Sequence, residues 1–246
     1  MLVPLLFLCL SPLLICSLSL PGGIKKCKND KTLNDCIQKQ SKAVTNALSK
    51  GDPKFGIPVV DPLFVPKIEQ TQGGGTKSIS LNLTLENINI FGFSKSEIVK
   101  TDFDTSKKFL SLTFKVPKLK LVADYNMNGK FLVIPITGQG KVTVIMDNVE
   151  VVSTVIYKLE KKKGAEYAVF DPNPRLTYTT TKANYNLENL FNGDKALGDA
   201  TNKMLNENWK EFTDAMGPGI AGGIGKVYGL VLSKMTSSMP FKELFL

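Results

Sequence analysis

With 246 residues, 43% of them hydrophobic and 22% charged, the chain can bury one sizeable core and is far from the composition of a disordered segment. Its net charge of +9 is carried by lysine, with Arg175 the one arginine. This argues against sequence-specific nucleic-acid binding, which leans on arginine forks, and leaves open a general attraction to anionic surfaces, including weak membrane association. Histidine is absent, which removes the usual general base and most metal sites.

Met1 to about Ser19 is uncharged and runs through Leu5, Leu6, Phe7, Leu8, Leu10, Leu13, Leu14 and Ile15 to small residues at Ser17 and Ser19. This pattern reads as a secretory signal peptide over residues 1–19, followed by a single domain over 20–246. A membrane anchor is the alternative, which Pro4 and Pro12 disfavour. Removal of the leader takes Cys9 and Cys16 with it and leaves Cys27 and Cys36, an even pair that in an oxidising compartment is most simply a disulfide. Closing a loop of about ten residues would stabilise the chain by roughly 2.7 kcal/mol in the loop-entropy account.

From Thr32 to Ser49, the spacing of Leu33, Ile37, Val44, Ala47 and Leu48 predicts an N-terminal helix that ends at Gly51-Asp52-Pro53. The prolines of Gly56 to Pro66 exclude a helix and predict an extended edge strand, and Gln72 to Thr76 reads as a glycine-rich turn.

From Ser78 the period changes to two, with Ile79, Leu81, Leu83 and Leu85 giving way to Ile88 and Ile90. The same change of parity occurs at Pro117, between Leu110, Leu112, Phe114, Val116 and Leu119, Leu121, Ala123, Tyr125. It recurs near Asp147-Asn148, between Val142, Val144, Met146 and Val149, Val151, Val155, Tyr157. Such shifts indicate bulges and a bent, strongly curved sheet. Asn82-Leu83-Thr84 is an N-glycosylation pattern; Asn82 and Lys115, Lys118 and Lys120 then mark the convex side. Asn126 to Gly129 and Gly138 to Gly140 read as turns around a short strand from Phe131 to Ile136. Tyr167 to Phe170 and Leu176 to Thr181 continue the sheet.

Asp194 to Met239 reads as a long amphipathic helix broken at Gly217-Pro218, with Asn192 or Asp194 as N-cap and a span of roughly 65 Å. Gly222, Gly225 and Gly229 form a stripe opposite Ile220, Ile224 and Tyr228. Since glycine weakens an isolated helix, the stripe is expected to be a packing surface.

No phosphate-binding loop, acidic pair or free thiol points to an enzyme or to a cofactor. The fold class expected is α+β, a strongly curved antiparallel sheet around a long C-terminal helix, with an apolar cavity between the two layers. Its candidate wall is Leu83, Leu85, Leu112, Phe114, Val133, Val144, Met146 and Val151 from the sheet, with Leu205, Trp209, Phe212, Ile224 and Tyr228 from the helix.

An ordered set of segments resembles the insect takeout and juvenile hormone binding protein family. These are Cys27 to Cys36, Gly56 to Pro66, Asn128-Gly129-Lys130, Pro135 to Gly140, Asn189 to Gly193 and Leu205 to Trp209. The resemblance implies a single N-terminal disulfide, a sheet wrapped around the C-terminal helix, and an internal tunnel. It implies a secreted monomeric carrier of a small hydrophobic ligand such as a terpenoid hormone, fatty acid or quinone, with ties to haemolymph transport and to feeding, circadian or chemosensory behaviour. The competing reading is an extracellular defence protein that binds membranes or lipopolysaccharide through its lysines and apolar C-terminus. Lys226, at the centre of that apolar segment, counts against it.

Overall fold

The computed structural model describes residues 19–72, 79–132 and 134–246. The expected signal peptide up to Leu18, the expected glycine-rich turn beyond Gln72 and the candidate Val133 therefore lie outside the described residues. The strands, in chain order, are β1 Leu63–Gln72, β2 Ile79–Phe91, β3 Glu97–Asp104, β4 Phe109–Phe131, β5 Ile134–Lys162, β6 Ala165–Phe170, β7 Arg175–Thr179 and β8 Lys182–Leu187. They form one antiparallel sheet built on β4 and β5, which pair continuously from Phe109 opposite Ile156 to Phe131 opposite Ile134. Both long strands take shorter partners on their free edges. β2 and β3 divide the edge of β4, and β6, β7 and β8 divide that of β5.

The parity changes are where the alternation placed them, but only one is the expected bulge. In β2 the register shifts between Glu86 and Asn89, with Asn87 at φ 52°. In the central pair the register does not shift. Val116 pairs with Val149 and Lys118 with Asp147, so Pro117 falls opposite Asn148, whose φ is 49°. Each strand inserts one outward residue at the same level, and the buried positions pass from Leu112 and Val116 to Leu119 and Leu121. At that level β3 gives way to β2 and β7 to β8, so the sheet folds across its width and curls into a half-barrel.

Other sequence expectations need correction. The segments around Gly129 and Gly138 to Gly140 are not turns but the bodies of β4 and β5, and the chain reverses after Phe131, which pairs with Ile134. The glycines are there because neighbours crowd them. A Cβ on Gly129, at φ 146°, would lie 2.0 Å from the Ser80 carbonyl, and one on Gly140 2.7 Å from that of Glu188. The N-terminal helix is two, α1 Leu33–Lys39 and α2 Ser41–Ser49. The break is at Gln40, whose side chain pairs with the backbone of Lys25 through bonds of 2.7 and 2.8 Å.

The C-terminal helix breaks at Asn208 instead of Gly217-Pro218, giving α3 Lys195–Glu207 and α4 Trp209–Ser237. Asp194 is the N-cap of α3, accepting from the Leu197 N–H at 3.0 Å. At Asn208 (φ −111°, ψ 33°) the side chain and the backbone N–H both donate to the Met204 carbonyl, which ends the first helix. Helix α4 continues through Pro218, and in the turn before that proline the Ala215 carbonyl accepts from Gln70 Nε2 of β1 at 3.2 Å.

Helix α4 packs against β1 on one side and β6 and β7 on the other, closing the half-barrel. Glycines permit this on both flanks. A Cβ on Gly223 would meet Ile68 of β1 at 2.5 Å, and one on Gly229 the Pro172 carbonyl at 2.7 Å. Gly222 faces open space, so the packing stripe is Gly217, Ala221, Gly225 and Gly229 in place of the predicted trio. One end of the half-barrel is filled by a second apolar cluster that includes Ile98, Leu112, Tyr157, Phe170, Leu232 and Phe241. Beyond it, Cys27 is bonded to Cys36, and the Leu246 N–H donates to the Cys27 carbonyl at 2.9 Å, so the disulfide segment and the C-terminal residues meet there.

Candidate functional site: an apolar hollow under helix α4

Between the concave face and α4 the packing is incomplete. A chamber of about 160 Å³ is lined by Phe114, Leu119, Met146, Val149 and Val151 of β4 and β5, and by Ile220, Ile224, Tyr228 and Val231 of α4. Thr45 and Leu48 of α2 and Val60, Leu63 and Phe93 close it toward the N-terminal helices. A smaller chamber of about 40 Å³ follows, lined by Leu83, Leu85, Tyr125, Met127, Val142, Leu187, Phe212 and Met216 among others. Both chambers share Leu121, Val144, Tyr178, Tyr185 and Ile220, which form the neck between them. From Phe212 to Val231 the hollow follows α4 for roughly 28 Å.

The local sequence explains the wall. Period-two alternation turns alternate side chains of β4, β5, β7 and β8 inward, and Ile220, Ile224 and Tyr228 recur every fourth residue on one helix face. Among the described residues no charged side chain lines either chamber. Most polar wall groups are engaged with the protein itself. Ser96 donates to the Phe93 carbonyl at 2.7 Å, Tyr185 lies 2.7 Å from Thr213 Oγ1, which donates to the Trp209 carbonyl at 2.6 Å, and Ser153 donates to the Tyr228 oxygen at 3.1 Å. Burial pushes the phenols of Tyr185 and Tyr228 up to about 12, and that of Tyr178 higher still. They are neutral, hydrogen-bonding groups at any physiological pH. Such a wall can hold an apolar molecule and orient an oxygen on it.

Of the candidate residues, Phe114, Val144, Met146, Val151, Ile224 and Tyr228 line the larger chamber, and Leu83, Leu85 and Phe212 the smaller. Three lie elsewhere. Leu112 belongs to the second apolar cluster, which fills one end of the half-barrel. Leu205 is fully buried in the main core, on α3 and not α4. Trp209 opens α4 and packs, partly buried, on the same core. Asn82 is exposed on the outer face between buried Leu81 and Leu83.

Residues missing from the candidate set include Leu119 and Leu121, which share the inward parity already read for their strand. Thr45, Leu48, Tyr178 and Tyr185 also reach the hollow, from elements whose position relative to α4 no local pattern gives.

The family model described as haemolymph juvenile hormone binding protein (JHBP) matches residues 5–246. The chain belongs to that family. Among its relatives are the circadian clock-controlled proteins daywake of Drosophila yakuba and Drosophila melanogaster. The first is 25% identical over 231 residues and the second 24% over 230, each covering 92% of this chain and 88% of the relative. The crystal structure of Epiphyas postvittana Takeout 1 has the same fold, with a TM-score of 0.80 and 24% identity, covering 89% of this chain and 98% of that one. The family's fold is thus a tubular one, in which a curled antiparallel half-barrel encloses a long C-terminal helix.

Proposed function

We propose that this protein is a secreted, monomeric carrier that holds a small elongated hydrophobic molecule in the hollow under α4 and performs no chemistry on it. The observation that carries this reading is the continuous wall of aliphatic and aromatic side chains, free of charge, beneath a helix that closes the half-barrel. A filled core has no reason to leave two adjoining chambers, since voids forfeit dispersion contacts. Membership of a family described as juvenile hormone binding supports a terpenoid, with fatty acids and quinones of similar length and polarity as the other classes.

The disulfide and the apolar leader support an extracellular site of action, with Asn82 as a surface glycosylation position. The names of the daywake relatives extend the proposal to a role under circadian control. The test is displacement of a fluorescent naphthylamine probe from the delipidated, full-length secreted protein by farnesol, palmitate and a short-chain ubiquinone. Saturable displacement by at least one, with protein remaining in the supernatant after sedimentation with anionic liposomes, is expected. No displacement by any, with protein pelleted on the liposomes, would assign it instead to membrane binding.

A further inference from the structure

The neck between the chambers carries a hydroxyl that the protein does not use. Tyr178 of β7 lines both chambers, and its ring sits in the notch left by Gly217, where a Cβ would lie 2.9 Å from the phenol oxygen. The neighbouring phenols have partners, Tyr185 with Thr213 and Tyr228 with Ser153. No hydrogen bond among the described residues involves the Tyr178 hydroxyl, and the residue borders both chambers. A donor left unpaired in an apolar surrounding is costly, so its natural complement is an oxygen brought by the occupant.

The wall on either side of this point is apolar, Leu176 and Ile224 toward the larger chamber and Leu83 and Phe212 toward the smaller. A molecule that spans both chambers therefore meets the Tyr178 donor part-way along its length. Because no lysine or arginine among the described residues lines the hollow, an ionised carboxylate would be buried there without a counter-charge.

We propose that Tyr178 selects ligands whose single acceptor oxygen is internal to the chain, the class being long apolar molecules interrupted by a ketone, ester or ether, and disfavours those that end in a carboxylate. This rests on the carrier reading above and adds to it the position and kind of the polar group.

The experiment compares tetradecane with 7-tetradecanone as displacers of the naphthylamine probe, in the wild-type protein and in Tyr178→Phe, which keeps the ring and removes only the hydroxyl. The wild type is expected to hold the ketone about tenfold more tightly than the alkane, the size of one net hydrogen bond. Tyr178→Phe should bind the alkane within twofold of wild type and lose the preference. In parallel, the infrared carbonyl band of the bound ketone should lie at lower wavenumber in the wild type than in the variant.

Equal affinities for both molecules in the wild type, or a preference and band position unchanged in Tyr178→Phe, would overturn the assignment while leaving the carrier reading intact. Failure of both molecules to displace the probe from the wild type would overturn the two together.

Discussion

At the scale of single residues, Val144 and Thr143 are adjacent on β5 and face opposite sides, Val144 into the neck and Thr143 outward. Val144→Lys should destabilise the fold by roughly 3 to 5 kcal/mol, the range for a buried charge without a partner, while Thr143→Lys should change it by less than about 0.5 kcal/mol. The native lysine pKa at position 144 would be depressed, so the unfolded chain would bind more protons. The deficit should then shrink as pH rises from 7 toward 10, which urea titrations at the two pH values would reveal. The buried phenols behave in the opposite sense. Burial raises Tyr125, Tyr157, Tyr185 and Tyr228 to about 12 from an ordinary 10.0. Above pH 10 the unfolded chain releases protons that the native one retains, so stability should fall between pH 10 and 12. Phenolate absorbance near 295 nm should then rise together with loss of secondary structure. Trp209, outside the wall, should give no saturable emission change on ligand binding, and Trp209→Phe should bind the probe as wild type does.

At the scale of elements, α4 is held by shape more than by intrinsic propensity. Its apolar face covers the hollow, and its small residues let the edges of β1 and β7 approach closely enough to seal it. Two glycines seven residues apart separate these roles. Gly222→Ala places its methyl in open space and should stabilise by about 0.8 to 1 kcal/mol. Gly229→Ala drives the same methyl toward the Pro172 carbonyl and the Pro174 ring, and should destabilise by about 1 to 3 kcal/mol despite the better helix propensity. Thermal melts of the two variants should move in opposite directions; a rise in both would mean that α4 does not touch the Pro172 to Pro174 loop. The matched kink at Pro117 and Asn148 belongs to this scale too. An ordinary bulge opposes two residues to one, whereas here both strands turn together and the sheet bends without losing register.

For the whole molecule, the disulfide ties the N-terminal segment at the point where the C-terminal backbone returns, next to the cluster of Phe103, Tyr157, Phe241 and Phe245. Replacing both Cys27 and Cys36 by Ser should lower stability by roughly 2.7 kcal/mol through the larger freedom of the unfolded chain. Since this end lies beyond the filled cluster, probe affinity should stay within about twofold of wild type. A chemical-denaturation curve together with probe titration checks both, and a large loss of affinity at unchanged stability would place the disulfide segment at the mouth of the hollow.

Alternation made the sheet legible because a strand with one buried face must repeat every second residue, and each change of parity in β2, β4 and β5 was visible as a break in that rhythm. The inward set Leu83, Leu85, Phe114, Val144, Met146 and Val151 followed from the same rule, and the helix face of Ile224 and Tyr228 from the period of 3.6. Local pattern could not say which inward residues border empty space and which are packed solid. Leu112 and Leu205 are as apolar as Leu121 and Ile220, yet only the second pair lines the hollow, because that depends on how far each helix stands from each part of the sheet. Nor could it separate glycines that make turns from those that admit a neighbouring backbone, as at Gly129 and Gly140, because the crowding atoms lie tens of residues away in sequence. The sequence by itself determined the two layers and their faces. Only the tertiary structure decided where the layers fail to meet and that Tyr178 stands in the neck, because a void is set by distances between elements that no single element encodes.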